Sequence, residues 1–293
     1  MAQVYQGVSE GQEPLGELVV VATPIGNIGD LSSRAAAALQ EADVVCCEDT
    51  RHTGLLLSRL GLRASRLVSV HAHNERERVG EILEMLETGA RVALVSDAGT
   101  PAISDPGELV IAAAIAGGHR VTTVPGPSAA VSALVVAGLG TARWRFEGFL
   151  PRRGSERAKR LGEIAAAPHP SVIYESPQRV ASTLRDLAEW CGADRKVAVC
   201  RELTKMFEET WRGSLAQACE RSQASAARGE HVLVVAARPD VAPATPDEGD
   251  VRRAVASRMA AGASRRQAAA EVAADFGVSK RLAYETSLAR NAQ

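Results

Sequence analysis

From residue 18 to residue 124 the chain alternates short β-branched runs with segments of helical spacing, and this alternation constrains the fold more than any other feature. The runs at 18–21, 43–47, 67–70, 92–95 and 121–124 have the length and composition of strands covered on both faces. Helical patterns fall between them, at about 30–39, 53–60, 74–86 and from near Pro106 onward, with Ser104 or Asp105 as the expected cap. Strands separated by helices imply a mostly parallel, helix-covered sheet. A second unit opens near Trp144, with strand patterns at 144–149, 171–174, 197–200, 208–212 and 231–236 and helices at 155–166 and 178–190. The bunching of its last strands implies a mixed sheet. The expected class is therefore α/β, with a parallel-sheet N-terminal domain over 17–138 and a mixed-sheet domain over 139–238.

The flanks have a different character. Residues 1–16 lack a basic start and an apolar core, so they read as a flexible N-terminus and not as a signal peptide. "PDVAPATPDEGD", 239–250, is Pro-rich and acidic and reads as a linker. Residues 251–293 are helical in composition. They hold eight Lys/Arg against three acids, a net +5, whereas the other 250 residues hold 26 basic and 32 acidic side chains, a net −6. Within this tail, a helix at 264–273, a turn at 276–279 and a basic helix from Lys280 form a helix-turn-helix pattern. Arg265, Arg266, Lys280 and Arg281 are its candidate RNA contacts; packing of a helical hairpin on the main body is the competing reading. Five cysteines, odd in number and without Cys-x-x-Cys, imply neither a disulfide framework nor a zinc site. With no apolar run near membrane-spanning length, a cytoplasmic protein is expected.

Chemistry is expected at the carboxyl ends of the strands, where open α/β sheets bind ligands. "LVSDAGTPAISDPG", 94–107, leaves its strand through Gly99, Pro101 and Pro106, which exclude regular structure and stiffen a polar loop. Loops at 23–27, 48–51 and 125–128 complete one edge. None is a P-loop or a dinucleotide fingerprint, so together they suggest a cleft for a small ligand held largely by backbone. "CCEDTRHT", 46–53, places Glu48, Asp49 and Arg51 after strand two, either facing the cleft or capping a helix. "YESPQR", 174–179, offers Glu175 and Arg179 in the same way, and "CRELTK", 200–205, offers Glu202 and Lys205. These carboxylates are candidate bases and these cations candidate phosphate or oxyanion partners for a substrate with hydroxyls and phosphates. The stretch 143–160 holds seven basic residues against two acids, and Arg152, Arg153 and Arg157 in its loop suit an RNA clamp. His71 and His73 without companions at ligand spacing are a weak metal signal, and no metal is expected.

Taken in order, "VATPIGNIGDLSSRA", "ADVVCCEDTRHT", "LVSDAGTPAISDPG", "VPGPSAAVSAL", "FEGFLP", "YESPQR" and "RELTK" resemble the motifs of the ribosomal RNA small subunit methyltransferase I family, within the tetrapyrrole methylase superfamily. The resemblance spans about residues 18–237, and the tail is similar to the helix-turn-helix unit that ends such proteins. It implies two α/β domains of the tetrapyrrole-methylase type, S-adenosylmethionine in the cleft between them, and methyl transfer to a cytidine ribose 2'-oxygen in 16S rRNA of the small subunit by a homodimer. It further implies that Asp97, Gly99, Thr100, Ile103 and the Pro125, Gly126, Pro127, Ser128 turn line the cofactor, with Pro24 and Gly26 across from them. Two rival activities are a tetrapyrrole C-methyltransferase, which the basic tail disfavours, and a non-catalytic RNA-binding protein, which the undamaged loops disfavour.

Overall fold

Five short strands follow the expected β-branched runs: β1 (Glu17–Val21), β2 (Val44–Cys47), β3 (Leu67–Ser69), β4 (Arg91–Leu94) and β5 (Arg120–Val124). In this computed structural model, which describes residues 16–224, 228–239 and 248–288, they form one parallel sheet in the order β3-β2-β4-β1-β5. Of the expected N-terminal lead 1–16, all but Gly16 lies outside the described residues, as do 240–247 of the linker and 289–293 of the tail.

Side-chain alternation divides the sheet's two faces. Leu18, Val20, Cys46, Val92 and Leu94 pack on α3 (Glu75–Glu87) and α4 (Glu108–Ala116). Val19, Val21, Cys47 and Ala93 pack on α1 (Ser33–Glu41) and α2 (Thr50–Arg59). Both faces are buried, which is why the runs carry so few charges.

The second sheet contains β6 (Arg145–Phe149), β7 (Ser171–Glu175), β8 (Lys196–Arg201), β9 (Glu209–Ser214) and β10 (His231–Val235), in the order β6-β7-β10-β8-β9. β6 and β7 are parallel, while β10 runs antiparallel to both β7 and β8, and β9 antiparallel to β8. The mixed sheet expected from sequence is thus present. Its outer face packs on α6 (Ser155–Ala166), α7 (Val180–Cys191) and α8 (Leu215–Ala224) through Leu161, Leu184, Leu187 and Leu215.

The helix that follows β5, α5 (Ala129–Ala137), leaves the first sheet and covers the second. Its Ala130, Ala133 and Leu134 cluster with Val172, Cys200, Val232 and, from the loop after β1, Ile25. A helix grouped by sequence order with the first sheet is therefore packed with the second, and the two sheets belong to a single unit, Met1–Arg238.

Pro239–Gln293 is the second unit. Its helices α9 (Glu248–Ala260), α10 (Arg265–Phe276) and α11 (Lys280–Leu288) enclose a small core of Val251, Val255, Ala269 and Val272. Ser264 caps α10 by accepting the Gln267 N–H, and Gly277 ends it in the left-handed region at φ 64°. The Ser279 hydroxyl accepts the Leu282 N–H at 3.1 Å. The helix-turn-helix pattern read from the sequence is present. Arg266 and Lys280 are exposed without an ion partner among the described residues, whereas Arg281 pairs with Glu285.

Candidate functional site

Three loops at the carboxyl edge of the first sheet are stitched into one wall. Thr23, after β1, exchanges both backbone hydrogen bonds with Gly99, after β4, at 2.9 and 3.1 Å. The Thr23 hydroxyl donates to the Ser96 carbonyl at 3.1 Å. The Thr100 hydroxyl donates to the Pro127 carbonyl at 3.2 Å, tying in the turn after β5. Ala102 and Ser104 both sit at φ 67°, a region that disfavours side-chain-bearing residues.

A buried carboxylate holds this strained loop to α4. Glu75 Oε1, from the start of α3, accepts the N–H groups of Gly107 and Leu109 at 2.9 and 2.8 Å, and that of Val110 at 3.4 Å. The cap expected from Ser104 or Asp105 is thus supplied by a residue 32 positions away, because the positive φ of Ser104 and Gly107 precludes an ordinary N-cap there.

The second sheet supplies the opposite wall. Glu175, at the end of β7, is completely buried: Oε1 accepts the Ser176 N–H, Oε2 accepts the Thr183 hydroxyl at 2.6 Å, and Arg179 lies 3.4 Å away. Arg179 also donates to the Leu150 carbonyl at 2.7 Å. After β8 the chain turns through Glu202 (φ 50°) and Thr204 (φ 66°). Glu202 Oε1 accepts from the Glu230 N–H at 2.9 Å and from Lys205 Nζ at 3.0 Å, and Lys205 also reaches Glu230 Oε2 at 3.1 Å. The Glu230 N–H and Lys205 hold the Glu202 carboxyl below its ordinary range against a smaller opposing effect of burial. Burial works to lower Lys205, but its two carboxylate partners outweigh it and raise its pKa. Two glycines make room for this cluster. A Cβ on Gly229 would lie 2.4 Å from Glu202 Cδ, and one on Gly26 would lie 2.4 Å from Lys205 Cγ.

Two cavities open between the walls and share Ile25, Ala98 and Glu230. The first, about 310 Å³, is lined by Gly99, Thr100, Ile103, Ser128, Phe149 and Tyr174, with Asp105, Glu175 and His231 at its polar margin. Tyr174 is fixed there by accepting the Ala130 N–H at 3.1 Å and by edge contacts with Phe146 and Phe149. Burial, then the Glu48 charge and less so Asp97, pushes the Asp105 carboxyl up to about 6, opposed by the Ser96 hydroxyl. Burial likewise lowers His231. The second cavity, about 370 Å³, is lined by Pro24, Gly26, Leu55, Arg59, Asp97 and Lys205, among others.

The residues expected to line one cofactor pocket are therefore divided. Gly99, Thr100, Ile103 and Ser128 face the first cavity, whereas Pro24, Gly26 and Asp97 face the second. Pro125, Gly126 and Pro127 line neither and shape the turn that presents Ser128. Among the candidate catalytic groups, Glu175 reaches the first cavity and Lys205 the second. Glu48 is half-buried near Asp97, and burial followed by the Asp97 charge raises its pKa. Asp49 caps α2 and pairs with Arg51 at 2.7 Å, with the Arg51 side chain 91% exposed, so this pair is the capping arrangement weighed above. The Arg51 side chain holds the Asp49 carboxyl well below its usual range.

Arg152 and Arg153 are exposed, as an RNA-contacting loop requires, but Arg157 is buried. Arg157 bonds Asp186 at 2.6 Å, Thr183 at 3.0 Å and the Pro151 carbonyl at 2.8 Å, and so is not free for RNA. Its place one turn into α6 carries it inward beside Leu161 and Ile164. Sequence reading missed Glu75, Asp105, Tyr174, Glu230 and His231 as contributors. Asp105 and Tyr174 lie inside quoted motifs, while Glu75, Glu230 and His231 carry no local signal.

Among the described residues no group of three or more His, Cys, Asp or Glu is placed to hold a metal ion, and no helix is long and apolar enough to cross a membrane. The first cavity fits S-adenosylmethionine in its chemistry: aromatic and aliphatic walls for an adenine, and the Asp105 carboxyl for a cationic centre.

Residues 17–219 match the family described as Tetrapyrrole (Corrin/Porphyrin) Methylases. The chain is 41% identical to "Ribosomal RNA small subunit methyltransferase I" of Synechocystis sp. over 94% of its length and 98% of that protein's. It is 47% identical to the protein of the same name from Xylella fastidiosa, over 80% of the chain and 86% of the relative. Among solved structures it resembles a uroporphyrin-III C-methyltransferase of Thermus thermophilus complexed with S-adenosylhomocysteine. The TM-score there is 0.54 at 18% identity, covering 75% of this chain and 97% of that one, a likeness of fold.

Proposed function

This chain belongs to the ribosomal RNA small subunit methyltransferase I family of the tetrapyrrole methylases, and on that premise we propose that it methylates the ribose 2'-oxygen of a cytidine in 16S rRNA of the small ribosomal subunit. The near-complete mutual coverage with relatives of that name carries the reading, because it includes the tail as well as the two sheets. S-adenosylmethionine, when bound, supplies a methyl carbon made electrophilic by its sulfonium sulfur.

The chain's own residues position the partners and shape the charge around them. Gly99, Thr100 and Ser128, on loops locked by the Thr23 and Pro127 contacts, hold the cofactor side of the cleft with little ordering left to do. Ile103, Phe149 and Tyr174 give it apolar walls. Asp105, ionised above about pH 6, places a negative charge on that cavity's margin. Glu175, enclosed by Thr183, Ser176 and Arg179, holds the end of β7 in place and is a positioning residue. Arg152, Arg153, Arg266 and Lys280 offer exposed cations to the RNA backbone. Action in the cytoplasm and as a homodimer belongs to the same reading. Self-association is supported by apolar side chains left open on α4 and α5: Ile115, Val131 and Val135 are 49–63% exposed.

The test is transfer of labelled methyl from S-adenosylmethionine to 30S subunits, protein-free 16S rRNA and a porphyrinogen, followed by nucleoside mass spectrometry. The expected product is 2'-O-methylcytidine in an RNA fraction. Label confined to the porphyrinogen would keep the fold and cofactor but replace the substrate.

A further inference from the structure

We propose that the second cavity, between α2 and the loop after β8, receives the single unstacked ribonucleotide whose ribose is methylated. This rests on the RNA-methyltransferase reading above. The geometry that points to it is a shared wall: Ile25 and Ala98 border both cavities, so a ribose in the second lies next to a cofactor in the first. Two partners that must meet at one bond need such adjoining compartments.

The lining of the second cavity suits a nucleotide in each of its parts. Leu55, Leu56 and Ile28 give an apolar surface for a base, with Leu55 52% exposed and open to contact. Arg59, exposed on α2, has no ion partner among the described residues and faces the same cavity, where it can pair with a phosphate, and the exposed His52 ring beside it offers a further polar contact. Arg51, by contrast, is already paired with Asp49 and does not line it. Asp97 stands beside the shared wall. Its Oδ1 accepts the Asp49 N–H at 3.1 Å, while Oδ2 makes no hydrogen bond among the described residues and is free to accept one from a ribose hydroxyl. Lys205, held by Glu202 and Glu230, closes the far side and packs its stem on Gly26. A volume of about 370 Å³ lies within the range of small-ligand pockets. Splaying one nucleotide out of a strand costs its stacking, which the base contact and the unpaired Arg59 charge offset.

The test fills the cavity and then discharges it. Leu55→Trp adds bulk at an exposed position, so the fold is retained. It is expected to lower kcat/KM for 30S subunits by ~100-fold or more, from the loss of positioned acceptor. Calorimetric affinity for S-adenosylhomocysteine is expected to stay within about twofold of wild type, since that ligand occupies the other cavity. Arg59→Gln is expected to weaken equilibrium binding of 30S subunits and reduce its log–log salt slope by ~1, as loss of one phosphate contact does. The exposed Arg63, outside this cavity, serves as control: Arg63→Gln should behave as wild type. Methylation by Leu55→Trp at the wild-type rate would overturn the assignment. So would a parallel loss of S-adenosylhomocysteine affinity, which would give the cavity to the cofactor. Failure of the wild-type chain to methylate any RNA would mark failure of the proposed RNA-methyltransferase function itself, and would remove the nucleotide assignment with it.

Discussion

In the first sheet every strand points its carboxyl end at the cleft, whereas in the second the ends of β6, β7 and β8 share that edge with the beginning of β10. β1, β2, β4 and β5 each exit into a loop at the same edge, and those loops carry the glycines, prolines and carboxylates of the site. In the mixed sheet β10 runs against β7 and β8, and its register pairs His231 with Glu175 on one side and Arg201 on the other. The first residues of β10 thereby join the last residues of β7 and β8 at the cleft. A parallel sheet announces its functional edge through its exits. A mixed sheet places part of its contribution where a segment enters a strand, and the sequence there looks like any strand start.

The contrast also separates side chains that build the cleft from those that decorate it, and substitutions can break it. The largest expected effect belongs to the second sheet. Glu175→Ala removes the acceptor of the Thr183 hydroxyl and the partner of Arg179 in a dry interior. A loss of about 3–5 kcal/mol in unfolding free energy is expected, the cost of breaking a buried pair, read from the urea midpoint at unchanged m-value. A variant as stable as wild type would show that Glu175 is not holding the end of β7.

In the first sheet the corresponding buried carboxylate is Glu75. Glu75→Ala leaves the Gly107 and Leu109 N–H groups without their acceptor. A cost of about 1–3 kcal/mol is expected from unsatisfied buried donors. Cofactor affinity should fall with it, because the strained 102–107 loop loses its tether. Unchanged cofactor affinity in a folded Glu75→Ala protein would separate the cap from the site.

A smaller effect should follow pH. Asp105 is raised above its unfolded value, mainly by burial, so its protonated form is favoured in the folded chain. Its contribution to stability is complete in acid and is lost as pH rises through about 6, while the charge that draws a sulfonium appears over the same range. Affinity for S-adenosylmethionine should therefore rise between pH 5 and 7 with a midpoint near 6, and Asp105→Asn should flatten that rise. The smallest effect is expected at Arg51→Ala, which removes an exposed partner of an exposed cap. Stability within error of wild type, by thermal melting, would confirm that this charged strand end decorates the cleft.

What could be read from the sequence follows the same division. The five parallel strands, the loops at 23–27, 96–101 and 125–128, and the capped helical tail were legible because each signal is local: a β-branched run, a proline-stiffened exit, a serine before a helix. The assignment of Glu75 was not, since it caps a helix that starts more than thirty residues later through a contact made only when α3 and α4 lie side by side. Arg157 misled for the opposite reason: its basic neighbours suggest solvent, but helical spacing turns it toward Thr183 and Asp186. The division of the cleft into two cavities was equally hidden. Pro24, Ile25 and Gly26 are consecutive, yet Ile25 borders both cavities while its neighbours border only one.

The most direct test of the account is a crystal structure of the full chain with S-adenosylhomocysteine. Density is expected in the first cavity, against Ile103, Ser128 and Tyr174, with Asp105 on its margin and the space between Leu55 and Lys205 left open. Density for the ligand between Leu55 and Lys205 instead would contradict the division of the cleft on which the proposed chemistry depends.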